Sequence, residues 1–216
     1  MALPLKLKRV LQQIEKHLPY PFLYDFVMTE KEKKLFDQHV RDAKQYLEFG
    51  MGGSTIRVMQ KSKALVHSID SSAKWIQLME QYRIIRKNLK KRLTLHHVDI
   101  GPTGEWGFPL GNDFHHQFTD YSSAIFSKIN PSTLDTVLVD GRFRVACTLK
   151  TILECHQNKG LVIMIHDFWK RPSYHPVLKY LDETNRADTL GIFKIKEKID
   201  LNAVKNDFEK YQFQPA

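Results

Sequence analysis

Apolar positions along the chain follow two rhythms. Over the first 40 residues, Leu7, Leu11, Ile14 and Leu18 recur at helical spacing until Pro19 and Pro21 break the pattern. Thr29 followed by Glu32 is a capping-box signal, opening a second helix with Leu35, Phe36 and Val40 on one side. From residue 45 onwards, short apolar runs alternate with helical stretches. The pattern predicts strands at 45–49, 65–69, 93–98, 135–139 and 161–166. Helices are expected near 54–62, 72–89, 121–129, 143–157 and 174–184. The tail adds an apolar run at Leu190–Ile195, a short helix from Asp200 and a last strand near Tyr211–Phe213.

Strands alternating with helices of this length imply right-handed βαβ units. The expected fold class is α/β, a doubly wound, mostly parallel Rossmann-like sheet flanked by helices, with an N-terminal helical extension. Residues 1–44 would form that extension and residues 45–216 the catalytic domain. The extension's helices have three open roles: packing on a sheet edge, covering a ligand site, or joining two copies in a homo-oligomer. No internal repeat or Gly/Ser linker divides the chain.

One connection is unusually long. From Gly101 to Phe118 the chain holds four glycines and two prolines with no period, alongside Trp106, Phe108, Phe114, His115 and His116. Long loops in compact domains are commonly functional, and this one is too apolar for a spacer, so it is expected to close over a ligand.

Composition adds bounds. A chain of 216 residues buries roughly 70% of its unfolded surface and needs no metal or disulfide to fold. Cys147 and Cys155, if on one helix, lie roughly 12 Å apart, too far for a disulfide, and read as free core thiols in a reducing compartment. The N-terminus is interrupted by charges, and no run approaches the roughly 18 apolar residues of a membrane span, so the expected location is cytoplasmic. Lys plus Arg number 33 against 24 Asp plus Glu, a net charge of +9 that favours anionic partners. Basic clusters at Lys31–Lys34 and Arg83–Arg92 carry helical periodicity, so they read equally as solvated helix faces.

The most informative stretch is Tyr46-Leu-Glu-Phe-Gly-Met-Gly-Gly-Ser-Thr55, a strand running into a glycine turn and then a helix near Ser54. Glycines let the backbone approach a ligand, and the helix N-terminus presents unpaired N–H groups. Glu48 precedes the glycines, and the next strand ends in Asp70, 22 residues later. An acid at the end of a second strand is the expected acceptor for a ribose diol. Asp70 also reads as a helix N-cap ahead of Ser71 and Ser72, but that leaves the paired Glu–glycine–Asp register unexplained. The register points to a nucleoside cofactor.

Gly50-Met51-Gly52-Gly53 stops short of G-x-G-x-x-G because position 55 is Thr, which disfavours an NAD-dependent oxidoreductase. It resembles motif I of class I S-adenosylmethionine-dependent methyltransferases, and the resemblance spans roughly residues 45–195. It implies that Glu48, Gly50 and Gly52, with Gly53 and Ser54, serve the methionine part of S-adenosylmethionine. Asp70, with Ser71, would hold the ribose, and Asp99 would meet the adenine amino group. Asp99 reads alternatively as a loop cap before Gly101 and Pro102.

The fourth strand ends in Asp140-Gly-Arg142-Phe-Arg144 and the fifth in His166-Asp167, so these side chains should converge on one rim. Asp140 is a candidate general base or orienting group, and His166 is the other base candidate. This pair of motifs is similar to the metal-dependent sugar O-methyltransferases of macrolide and aminocoumarin pathways. Asp140 and Asp167 match that pattern, but His166 stands where a second carboxylate is expected. Magnesium prefers oxygen and a softer metal accepts histidine, so a divalent metal is left open. Arg142 and Arg144 suit recognition of a carboxylate or phosphate, or else surface salt bridging. Trp106, Tyr121 and Trp169 suit either ring stacking or core packing. The His96-His97 and His115-His116 pairs lack metal spacing.

The resulting expectation is methyl transfer from S-adenosylmethionine to a small-molecule or saccharide acceptor, most readily a sugar hydroxyl. Two rivals remain. The charge favours an RNA or DNA methyltransferase, although no Asn-Pro-Pro-Tyr motif is present. A non-catalytic nucleotide-binding regulator shares the same fold signals.

Overall fold

The computed structural model describes residues 10–11 and 13–215, so Leu7 of the first helical pattern lies outside it. Seven strands form one sheet: β1 Gln45–Phe49, β2 Leu65–Asp70, β3 Leu93–His97, β4 Thr136–Val139, β5 Val162–Ile165, β6 Leu181–Ala187 and β7 Leu190–Ile195. Their order is β3-β2-β1-β4-β5-β7-β6. The first five run parallel, while β7 pairs antiparallel with both β5 and β6. The five parallel strands match the predicted runs to within a residue or so. Strands buried on both faces read as continuous apolar runs, and every position of β4 is buried.

Alternation along these strands divides the interior into two cores. Leu47, Phe49, Val137, Val139, Ile163 and Ile165 face one side, packing with helix α5 (Phe118–Ser123), helix α6 (Arg144–Cys155) and helix α7 (Leu201–Tyr211). Tyr46, Val66, Leu138 and Met164 face the other side. That side carries α1 (Glu30–Val40), α2 (Gly53–Lys61), α3 (Ala73–Glu80) and α4 (Arg83–Asn88). Helices cover both faces, as a doubly wound sheet requires.

The departures from the predicted pattern have local causes. The helix expected over 72–89 is two, because Tyr82 adopts an extended backbone and turns its ring into the core. The helix expected over 121–129 starts earlier, at Phe118, and tightens into a 3-10 turn at Ala124–Ser127. The segment expected as a helix over 174–184 is a 3-10 stretch, Pro172–Lys179, followed by β6. Pro176 lacks the N–H that an α-helix needs there. β6 is an edge strand with five successive exposed positions, so it shows no apolar alternation. No strand forms at Tyr211–Phe213. Tyr211 ends α7, and Phe213 stacks on His115 with ring centroids 4.2 Å apart.

The capping box at α1 is realised: the Thr29 hydroxyl accepts from Glu32 N at 3.2 Å, and the Glu32 carboxylate accepts from Thr29 N at 2.7 Å. The same carboxylate accepts from Thr189 N at 2.8 Å, tying α1 to the β6–β7 hairpin. Arg57 donates twice to Asp37, at 2.6 and 2.7 Å, and binds α1 to α2. Both cysteines are free and buried. Among the described residues, no helix is long and apolar enough to cross a membrane.

Candidate functional site

The parallel register brings the strand ends to one level: Phe49 pairs with Ile69 and Val139, and Val139 with Ile165. The residues that follow these strands surround a cleft of about 870 Å³. That volume lies within the range of small-molecule and cofactor sites, roughly 300–1,000 Å³. Its walls come from the β1–α2 turn, the β2–α3 turn, the β4–α6 turn and His166-Asp167 after β5. The Tyr24–Val27 segment and the 104–108 part of the long loop complete it.

At the β1 and β2 ends, each glycine has its own reason. Gly50 has φ +103°, and a Cβ there would lie 2.6 Å from Gly141 N. A Cβ on Gly52 would meet nothing within 4 Å, so the backbone there is open to a ligand. Gly53 is overlaid by the Asp25 carbonyl and by Phe26, whose Cβ would stand 2.6 Å from an added methyl. The N-terminal segment therefore lies directly on the turn. Ser54 and Ser71 both line the cleft.

Glu48 is fully buried and does not line the cleft. Its carboxylate accepts from Ser54 Oγ at 2.9 Å, Ser68 Oγ at 2.6 Å, Tyr46 Oη at 3.1 Å and Thr55 Oγ1. Burial raises its pKa to about 7 against these four donors. Rather than being presented to a ligand, Glu48 braces the turn from beneath. Asp70 does face the cleft: its carboxylate accepts from Met51 N at 3.2 Å and Ser72 N at 2.8 Å. Burial raises its pKa to about 6 against these backbone donors. Trp75 donates to the Met51 carbonyl at 2.7 Å and fixes the turn from the other side. The structure does not bring Asp99 into the cleft. It is exposed and accepts from Gly101 N at 2.9 Å, the loop-cap arrangement.

At the β4 and β5 ends, Asp140 and His166 meet, with His166 Nδ1 2.9 Å from Asp140 Oδ1. The other ring nitrogen, Nε2, lies 3.7 Å from the Glu32 carboxylate of α1. Both nitrogens of His166, the second base candidate, therefore already face carboxylates. Burial pulls the imidazole pKa down, but Asp140 and then Asp167 more than reverse this, and the net shift is upward. For Asp140, burial pushes the pKa up while His166 and Arg144 outweigh it, and the net shift is downward. Glu32, visible in the sequence only as a helix cap, is thus a distant support of this rim.

Arg144 is 4% exposed and clamps both strand ends. It donates to the Gly141 carbonyl at 3.0 Å, the Asp140 carbonyl at 3.2 Å and the His166 carbonyl, and stands 3.2 Å from the Asp140 carboxylate and 3.5 Å from Asp167. This donor set does not fit a metal, because a guanidinium occupies the space between the two carboxylates. Among the described residues, no cluster of three His, Cys, Asp or Glu side chains is placed to hold one. Arg142 also lines the cleft, under the ring of Phe108.

The long loop is ordered as a small hairpin in which Gly104 N donates to the Phe108 carbonyl at 2.8 Å and Leu110 N to the Pro102 carbonyl at 2.9 Å. Trp106, 77% exposed, stands at the cleft mouth. Tyr121 is buried against Gly141 and lines the cleft, whereas Trp169 packs among Phe168, His175 and Phe193. His67 Nδ1 and His96 Nε2 lie 3.0 Å apart, away from the cleft lining.

No protein-family model matches the chain, and no curated protein matches it. Among solved structures, a methyltransferase-like protein from Silicibacter pomeroyi aligns with a TM-score of 0.78 and 24% identity, over 89% of this chain and 98% of that one. An RNA methyltransferase from Salinibacter ruber, solved with S-adenosyl-L-homocysteine, aligns at 0.47 with 14% identity, over 81% and 97% of the two chains. A tRNA (m1A58) methyltransferase from Aquifex aeolicus also scores 0.47, with 12% identity over 80% and 71%. The last two scores are too low to bear on this chain's activity. The strand order and the first of these likenesses together establish that the chain has a Rossmann-like α/β fold, shared with that methyltransferase-like protein.

Proposed function

We propose that the protein is an S-adenosylmethionine-dependent methyltransferase acting on an oxygen of a small polar acceptor. One observation carries the reading: the open backbone at Gly52 and the Asp70 carboxylate face one cleft, which continues to Asp140. A ribose diol suits the carboxylate of Asp70. The methionine carboxylate suits the first-turn amides of α2, which helix geometry leaves without intrahelical partners. The bound cofactor supplies an electrophilic methyl group on a sulfonium.

The chain's own contribution is positioning and electrostatics. Asp140 accepts a hydrogen bond from an acceptor hydroxyl, holds its oxygen towards the transferred methyl and takes the hydroxyl proton as the oxygen–methyl bond forms and the methyl–sulfur bond breaks. His166 and Arg144 keep that carboxylate ionised and fixed in direction, so His166 is a positioning residue. The acceptor end also presents an exposed indole, Trp106, a lining that suits a hydroxyl-bearing molecule such as a saccharide. A nucleic-acid acceptor is favoured by one separate feature, the exposed cations Arg83, Arg86, Lys87, Lys90 and Lys91. Tight, salt-steep RNA affinity would select that acceptor.

The test is calorimetric titration of the whole protein with S-adenosylhomocysteine. Micromolar binding is expected, and the absence of binding at millimolar ligand overturns the cofactor assignment.

A further inference from the structure

Arg142 and Arg144 are two residues apart and have opposite fates. Every edge of the Arg144 guanidinium is occupied by the ends of β4 and β5. Arg142 is 7% exposed, and its Nε and Nη1 atoms are buried with no hydrogen-bond partner among the described residues. The difference arises at Phe143, whose left-handed backbone (φ +54°) turns the chain just before α6 begins and sends the two side chains apart. Arg142 projects into the cleft, where its guanidinium carbon sits 4.1 Å from the centroid of the Phe108 ring.

A buried guanidinium with unpaired N–H groups is expensive in a folded chain, and its natural complement is an anion. One observation and the proposed cofactor pose place that anion. Arg142 shares its connection with Asp140, and the proposed pose assigns the cofactor's own carboxylate to the α2 amides. The hairpin of the long loop lies over this point. A Cβ on Gly107 would come 3.8 Å from Arg142 Cγ and 3.4 Å from Ser71 Oγ. The loop therefore spans from the ribose side of the cleft to the anion point. Arg171, at the cleft rim, stands 3.7 Å from the Asp167 carboxylate.

We infer that Arg142, roofed by Phe108, recognises a carboxylate or phosphate group carried by the methyl acceptor, which makes the substrate a small anionic molecule. This rests on the methyltransferase reading for the word acceptor, though not for the anion site. Phe108 covers one face of the guanidinium, so the hairpin of the long loop and the anion point are in direct contact.

The experiment titrates the protein, saturated with S-adenosylhomocysteine, with inorganic phosphate in one arm and succinate in the other. Wild type, Arg142→Gln and Arg142→Lys are compared. One anion is expected to bind wild type in the millimolar range, about tenfold more weakly to Arg142→Gln, with partial recovery in Arg142→Lys. The stronger arm identifies phosphate or carboxylate as the recognised group. Affinity for S-adenosylhomocysteine should stay within about twofold in all three proteins. Equal anion binding by wild type and Arg142→Gln, or none by wild type, overturns the inference. So does a loss of S-adenosylhomocysteine affinity in Arg142→Gln with 5′-methylthioadenosine binding retained, because that assigns Arg142 to the cofactor carboxylate. Arg142-dependent anion binding by a protein that ignores S-adenosylhomocysteine would support the anion site while removing the methyltransferase reading.

Discussion

At the ends of β1 and β2, the buried acids are satisfied from within the chain. Glu48 collects four hydroxyl donors, and Asp70 collects two backbone amides while still facing the cleft. At the ends of β4 and β5, Asp140, His166 and Arg144 are equally well paired, yet Arg142 beside them has two buried nitrogens with no partner among the described residues. The first region is a finished cradle whose shape precedes its ligand. The second is a rigid frame around one unsatisfied cation, and such a group is retained where a ligand completes it. In the proposed function, the half assigned to the cofactor offers preorganised geometry, and the half assigned to the acceptor offers an unmet charge.

The contrast breaks most sharply in stability. Arg144→Gln removes a clamp on both strand ends and leaves Asp140 with His166 alone and Asp167 with Arg171 alone. A loss of about 3–5 kcal/mol, or roughly 10 °C in Tm, is expected by thermal unfolding. Arg142→Gln should leave Tm unchanged or higher, since it removes an unpaired buried charge. Equal destabilisation by the two variants would erase the distinction.

Gly50→Ala comes next. It forces an alanine to φ +103° with its Cβ 2.6 Å from Gly141 N. About 2 kcal/mol of destabilisation and at least tenfold weaker S-adenosylhomocysteine binding should follow, read by unfolding and calorimetry. Gly52→Ala meets no atom of the protein, so its cost should appear in ligand affinity alone.

The pH dependence of binding sharpens the cofactor half further. Burial pushes the Asp70 carboxyl up to about 6, and the proposed ribose contact needs the ionised carboxylate. Affinity should therefore be flat above pH 7 and fall by up to about tenfold per unit below pH 6. Asp70→Asn should bind weakly and without that slope.

The smallest cost of substitution belongs to Glu48. Its pKa of about 7 lies above the ordinary carboxylate value, so the folded state binds protons more tightly than the unfolded one. Stability is then highest below about pH 4.5 on this account and declines as pH rises to 7, by up to roughly 3 kcal/mol. Glu48→Gln should cost under about 1 kcal/mol at neutral pH and flatten that decline, as urea unfolding at several pH values would show.

Much of this was legible in the amino-acid order where one segment carries the information. β5 is a continuous apolar run and β4 nearly one because their faces are buried, and the Gly50 turn and Asp70 lie at the ends of strands that a single window reveals. β6 escaped because an exposed edge strand has no apolar face to pattern it, and Asp99 misled because a strand-end acid caps a loop as readily as it meets a ligand. The contact between His166 and Glu32 spans α1 and β5, far apart in sequence, and a capping box explains Glu32 without it. The two arginines read alike in sequence. Only the left-handed turn at Phe143 separates them, and no residue type announces a positive φ at a phenylalanine.

The most direct test sets Asp70→Ala beside Arg142→Gln and measures S-adenosylhomocysteine affinity for both against wild type. The division of the cleft predicts micromolar binding by wild type, a loss of about tenfold or more in Asp70→Ala and near-native affinity in Arg142→Gln. Equal losses in both variants, or none in Asp70→Ala, would contradict it.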